Sequence, residues 1–183
     1  MMTPDPKDYA IPFLEQARED LRAAQSLINV LLNETGVQTT VKRGAPSTFC
    51  MLLQMSFEKL VKAVRSRQGL GPVREHLVVS TFLLNLARDR RRLSLISIGP
   101  SDVMNSIFQF IRELENAHPQ VGDDKHPQLE YPWVDASTGA VCCPARDLHL
   151  CHRITNARDK IAPKTLKFAT ALIEKFDVLY PPS

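Results

Sequence analysis

Phe49-Cys50-Met51-Leu52-Leu53-Gln54-Met55-Ser56-Phe57-Glu58-Lys59-Leu60-Val61-Lys62-Ala63-Val64 decides the fold. Phe49, Leu52, Leu53, Ser56, Phe57, Leu60, Val61 and Val64 recur at steps of one, three and four, so they cover a wide arc of one helix. Gln54, Glu58, Lys62 and Arg65 make the narrow polar strip that remains. A helix apolar round most of its circumference sits centrally in a bundle. Glu58 and Lys62 stand four apart, the spacing of a favourable ion pair, and the strip reads as a solvent-facing edge or as the inner wall of a groove. The helix opens near Pro46 and Ser47, with Ser47 or Thr48 as its cap, and Gly69, Gly71 and Pro72 break the chain after it.

Outward from this helix the same period continues. Upstream, Leu14, Ala17, Leu21, Ala24, Ile28 and Leu31 form one stripe on a helix from about Ile11 to Asn33, ended by Gly36 and a loop over 39–44. Downstream, a third helix is expected over roughly Arg74 to Arg88, running into the basic knot Arg88-Asp89-Arg90-Arg91-Arg92. Leu93 to Ile98 reads as a short extended piece. A fourth helix follows Gly99-Pro100-Ser101-Asp102 and carries Met104, Ile107, Phe108, Ile111 and Leu114. From Ala117 to about Ala145 the period is lost among Pro119, Gly122, Pro127, Pro132, Gly139 and Pro144, and Tyr131-Pro132-Trp133 marks a part that packs down. The last segment, from about Arg146 to Tyr180, has one stripe through Leu150, Ile154, Ala157 and Ile161 and a second through Leu166, Ala169, Ile173 and Phe176. A kink or break at Pro163 is expected between them. The expected fold class is all-α: one domain over 1–183, an up-and-down bundle of about five helices with a long irregular loop, about 117–145, before the last helical segment.

Composition bounds the function classes. With 183 residues, 44% hydrophobic and 23% charged, the chain suits a globular core and excludes a disordered tail protein, a collagen and a disulfide scaffold. No apolar run is long enough for a membrane helix, so no membrane association is expected. A net charge of +3 is too mild to indicate nucleic acid by itself. Met1 to Lys7 is polar and unlike a secretory signal, so a cytoplasmic location and free thiols are expected.

Gln54-Met55-Ser56-Phe57-Glu58-Lys59-Leu60-Val61-Lys62-Ala63, followed by Gly69 and His76-Leu77, resembles the central helix and following turn of the HEPN family, short helical-bundle proteins of prokaryotes. The first helix, with Arg18, Asp20, Leu21, Ala24 and Leu27, is similar too, so the likeness runs from about Leu14 to Leu86. Arg146-Asp147-Leu148-His149-Leu150-Cys151-His152 resembles the family's motif of Arg followed at short spacing by His. Glu130-Tyr131-Pro132 resembles a Tyr-Pro signature of another branch, with Glu130 where Arg is common. The resemblance implies a metal-independent endoribonuclease or RNA-binding toxin or defence protein, homodimeric, acting on RNA or a nucleotide without a cofactor. The alternative it implies is a non-catalytic helical module that binds a nucleotidyltransferase, an antitoxin or a nucleotide.

Such cleavage needs a base for the 2′-OH proton, an acid for the leaving oxygen and a cation for the phosphorane. Arg146 is the candidate cation, His152 the proton carrier, and Asp147 the residue that orients either of them. On an unbroken helix Arg146 and His152 would stand about 120° apart, so their meeting requires a turn or a second protomer. Arg146, His149, Arg153, Asn156 and Lys160 share a basic face. With Arg90, Arg91 and Arg92 nearby it would hold a phosphate backbone, and the plainer reading is a solvated helix face. Cys142, Cys143, His149, Cys151 and His152 mix zinc-type donors, but adjacent cysteines chelate one ion poorly, and no metal or cofactor is assigned. His118 and His126, each before Pro, read as turn residues, and His76 as a helix-start residue.

Overall fold

The structure, a computed structural model, describes residues 5–33, 45–71, 78–99, 101, 106–118, 126–156 and 158–182. A 3-10 turn (Pro6–Tyr9) leads into α1 (Ala10–Asn33), followed by α2 (Ala45–Arg67), α3 (Val79–Arg88), α4 (Arg90–Leu95) and α5 (Phe108–Asn116). A two-stranded hairpin, β1 (Trp133–Val134) and β2 (Val141–Cys142), precedes α6 (Pro144–Asp147), α7 (His149–Thr155), α8 (Ile161–Glu174) and α9 (Phe176–Leu179). The architecture is an all-α bundle. Among the described residues α1, α2, α3, α5 and α8 are its long helices and the other four are short. No helix among them is long and apolar enough to cross a membrane.

α1 and α2 run antiparallel. Lys7 lies against Gly69 at one end, and ten residues on the Ser56 hydroxyl donates to the Ala17 carbonyl at 2.8 Å. The expected stripe Leu14, Ala17, Leu21, Ala24 and Ile28 is buried against this partner. α8 closes the other side, with Phe57 and Phe168 rings 6.1 Å apart and Gln25 donating to Thr170 Oγ1 at 3.0 Å. Each large apolar side chain so buried contributes roughly 1.5–3 kcal/mol. α2 ends in a two-bond C-terminal motif: Gly69 N–H donates to Ser66 O at 2.9 Å and Leu70 N–H to Arg65 O at 3.0 Å. Gly69 takes φ +74° there, a conformation costly for any side chain.

α3 has no cap of its own. Instead the buried carboxylate of Glu115, on α5, accepts the Val79 N–H at 2.6 Å, the Ser80 N–H at 3.0 Å and the Ser80 hydroxyl. A negative group at a helix N-terminus satisfies orphan donors and opposes the helix dipole.

Several expectations need correction. The polar strip of α2 is covered rather than solvent-facing: Glu58 pairs with Lys62 at 2.6 Å, and both Glu58 and Gln54 are buried. Beside it, Lys59 reaches Asp20 of α1 at 2.6 Å. Leu93 to Leu95 is helical, in α4, not extended. Pro163 falls in the first turn of α8, where its missing N–H has no helical partner to lose, so the break lies earlier, between the end of α7 at Thr155 and the start of α8 at Ile161. There Asp159 Oδ1 accepts the Ile161 N–H at 2.9 Å and starts α8. Ser47 and Thr48 lie inside the first turn of α2, which has begun by Ala45. In the expected 117–145 loop, Trp133 is buried, Tyr131 is exposed, and the hairpin supplies order that was not anticipated. Gly36, 39–44, Pro72, 74–77 with His76-Leu77, Pro100, Asp102, Met104, Pro119, Gly122 and Ala157 lie outside the described residues.

Candidate functional site

The site around Arg146 is built on the hairpin. Trp133 pairs with Cys142 and Val134 with Val141. Asp135 closes the turn: its Oδ1 accepts the Ser137 and Thr138 N–H groups at 3.0 and 2.8 Å and both hydroxyls at 2.6 and 2.9 Å. These bonds, the Ser137 hydroxyl foremost, pull the Asp135 carboxyl down to about 2. Gly139, at φ +70°, returns the chain and donates to Asp135 O at 2.8 Å.

After β2, Cys143 is extended and Pro144 starts the one-turn helix α6, where its fixed φ fits. Asp147 Oδ2 reaches back to accept the Cys143 N–H at 2.8 Å. Leu148 then adopts an extended conformation (φ −76°, ψ 123°), and α7 begins afresh at His149. Arg146 and His152 therefore do not share a continuous helix, and the angular objection that applies to one helix does not apply here.

The Arg146 guanidinium is held on two sides. Its Nε donates to Asp147 Oδ1 and Oδ2 at 2.9 and 3.0 Å, its Nη2 to Asp147 Oδ2 at 2.8 Å, and Nη2 also to the Val141 carbonyl at 3.2 Å. The Arg146 bonds, helped by the Cys143 N–H, hold the Asp147 carboxyl below its ordinary range, and the His152 imidazole is near enough for its charge to act the same way. The carboxylate in turn raises the Arg146 pKa. Arg146, His149 and His152 are all exposed, so the corner between α6 and α7 presents a fixed guanidinium and two imidazoles to solvent.

The rest of the expected basic face does not join them. Arg153 is committed to Glu113 at 2.9 Å and Asp159 at 3.1 Å, and its guanidinium lies 5.2 Å from the Phe110 ring centre. Arg90 and Arg91 are exposed on α4, and Arg92 is held by Asp89 at 3.1 Å and by the Leu179 carbonyl at 3.1 Å. Cys151, beside His152, meets Cys50 near the start of α2, whereas Arg92 lines a cavity with Val61, Val64 and Arg65 near its end. The two places are roughly 16–22 Å apart along α2 at 1.5 Å per residue. Arg90, Arg91 and Arg92 thus belong to the opposite end of the bundle from Arg146.

The Cys/His cluster does not converge either. Cys151 is buried towards Cys50, whose thiol burial pushes up, while Cys142 and Cys143 are part-exposed. Among the described residues no three His, Cys, Asp or Glu side chains stand together as a metal site. His126 Nε2 contacts the Asn116 carbonyl, a structural link between the loop and α5.

Two contributors had no sequence signal: the Val141 carbonyl and the Cys143 N–H, both backbone groups placed by the hairpin. The cavity side chains Arg65 and Tyr180 also went unremarked as a pair, since 115 positions separate them in the chain. Comparison of the chain with protein-family models, with curated proteins and with solved structures found no match.

Proposed function

We propose that this chain is a HEPN-like protein that contacts RNA at the α6–α7 corner and cleaves it without a metal. The observation that carries this reading is the position of Arg146: a guanidinium fixed by Asp147 and Val141, exposed to solvent, with the charge of His152 acting on the same carboxylate. In this reading Arg146 binds the phosphate oxygens and stabilises the phosphorane. His152 takes or returns the proton at the 2′-OH, and Asp147 positions both groups. His149 adds a contact to the backbone. A homodimer that brings two such corners together would supply the second proton carrier that in-line cleavage needs.

The test is RNA incubated with the protein in EDTA, repeated with Arg146→Ala and His152→Ala. Each substitution is expected to slow cleavage by about 100-fold or more. Cleavage that survives both substitutions removes the assignment.

One feature favours the non-catalytic alternative. Asp147 occupies the same edge of the guanidinium that a phosphate would use. A helical module that binds an antitoxin, a nucleotidyltransferase or a nucleotide needs no free Arg146. It is the reading left standing if the wild-type protein binds RNA or nucleotide but leaves every RNA intact.

A further inference from the structure

At the far end of α2 a cavity of about 520 Å³ opens between α2, α3, α4 and the residue that follows α9. Its size is that of a small-molecule site, too small to enclose a folded partner. Val61, Val64, Phe82 and Leu86 give it an apolar floor. Two guanidiniums, Arg65 and Arg92, face it, and no acidic side chain among the described residues lines it.

The two arginines differ. Arg92 is tied down: Asp89 takes Nη1, the Leu179 carbonyl takes Nε, and its guanidinium carbon lies 5.0 Å from the centre of the Tyr180 ring. That leaves its second terminal nitrogen with no partner among the described residues. Arg65 has no ion pair among the described residues, and its Nε is buried without a hydrogen-bond partner. Arg67 and Arg153, similarly sheltered, each have a carboxylate. A buried donor on a charged group is costly to leave unmet, so the Arg65 charge is under-satisfied by the protein itself. Tyr180 adds a buried aromatic wall, its ring 6.3 Å from that of Phe82. Burial raises its phenol to about 12, so the hydroxyl remains a donor at neutral pH. Gln68 and Asn85 complete the polar rim with amide donors.

We propose that this cavity binds a small organic anion: a compact apolar or aromatic body seated on Val64, Phe82 and Leu86, with an oxyanion head, carboxylate or phosphate monoester, gripped between Arg65 and Arg92. The head would accept from the Arg65 guanidinium and from Nη2 of Arg92, charge-assisted hydrogen bonds roughly twice as strong as neutral ones. This site is separate from the Arg146 corner and stands or falls independently of the nuclease reading.

The probes are 3-phenylpropionate, phenyl phosphate and neutral 3-phenylpropanol, titrated calorimetrically into the full chain. At least one anion is expected to bind, its affinity falling as NaCl is raised about tenfold, with the alcohol much weaker. The anion that binds tells a carboxylate head from a phosphate head. Arg65→Gln is expected to weaken binding about tenfold or more, and Arg65→Lys, which keeps the charge but not the fork, by less. Should Arg65→Gln fail to fold, the lysine variant and the salt series carry the test. Absence of binding by both anions, equal binding of the alcohol, or unchanged affinity in a folded Arg65 variant would each overturn the proposal.

Discussion

The two ends of α2 each gather arginines, and they treat them in opposite ways. Near Cys50, Arg146 is exposed, and its adjacent Asp147 answers its charge through three hydrogen bonds. Near Gly69, Arg65 is half-buried beside a cavity with an apolar floor and a polar rim, and its Nε has no partner among the described residues. An exposed guanidinium is hydrated and stays where it is at little cost, whether or not a ligand comes. A sheltered one without a partner is a standing deficit. The density of charge along the chain is therefore a poor guide to where an anion would bind most tightly. The state of each charge's own partners is a better one.

Several measurements would break or sharpen this contrast. The largest effect is expected from Phe57→Ala, since Phe57 lies fully buried between the two ends and packs on Phe168. Its loss should cost about 3–5 kcal/mol in denaturant unfolding. If both ends belong to one cooperative unit, cavity and corner should melt in a single transition. Glu115→Ala acts at the cavity end alone. It strips the cap from α3 and should cost about 2–3 kcal/mol, with hydrogen exchange rising at Val79 and Ser80 while the amides of α7 stay protected.

A smaller effect is expected at alkaline pH. Burial raises the Tyr180 phenol from 10 to about 12, so the folded state disfavours its ionisation. The stability this gives is complete below pH 10, the unfolded value, and is lost as pH rises through about 12. One of the three tyrosines should therefore ionise late by ultraviolet titration, and the unfolding midpoint should fall across that window. The smallest effect concerns thiol reactivity. Cys142 and Cys143, beside Arg146, should label in the native protein, whereas buried Cys50 and Cys151 should label only on unfolding. Cys142 should react more slowly than a free thiol, because desolvation and then Asp147 raise its pKa.

What was legible in the sequence follows from periodicity. The stripe of α1 and the broad arc of α2 are spaced by helix geometry, and their residues are buried where the spacing places them. The expected Glu58–Lys62 pair forms, but the exposure of the strip was not legible, because periodicity assigns a face and not what covers it, and a helix packed on several sides buries its polar edge too. Pro163 misled for a related reason: the same residue breaks a helix interior and suits a first turn, and only the position of the helix start distinguishes the two. Strands of two residues are too short to show alternation, so the hairpin under Arg146 was invisible. At the corner itself, Arg146, Asp147 and His152 are close in sequence and could be singled out. The Asp147 clamp on Arg146 depends on the turn at Pro144 and the break at Leu148, which no residue spacing encodes. The Arg88–Arg92 knot was grouped with Arg146 by charge. In the fold Leu179 and Tyr180 draw Arg92 to the opposite end.

The Glu115 carboxylate that closes the start of α3 comes from 35 or 36 positions further along the chain. A ten-residue helix is too short to persist alone in water, so α3 gains its first turn only once α5 has arrived. During synthesis the segment from Val79 would leave the ribosome as coil and wait for residue 115 before it could dock. The wall that α3 gives the cavity, Phe82 and Leu86 included, thus depends on a residue of α5 that does not itself line the cavity.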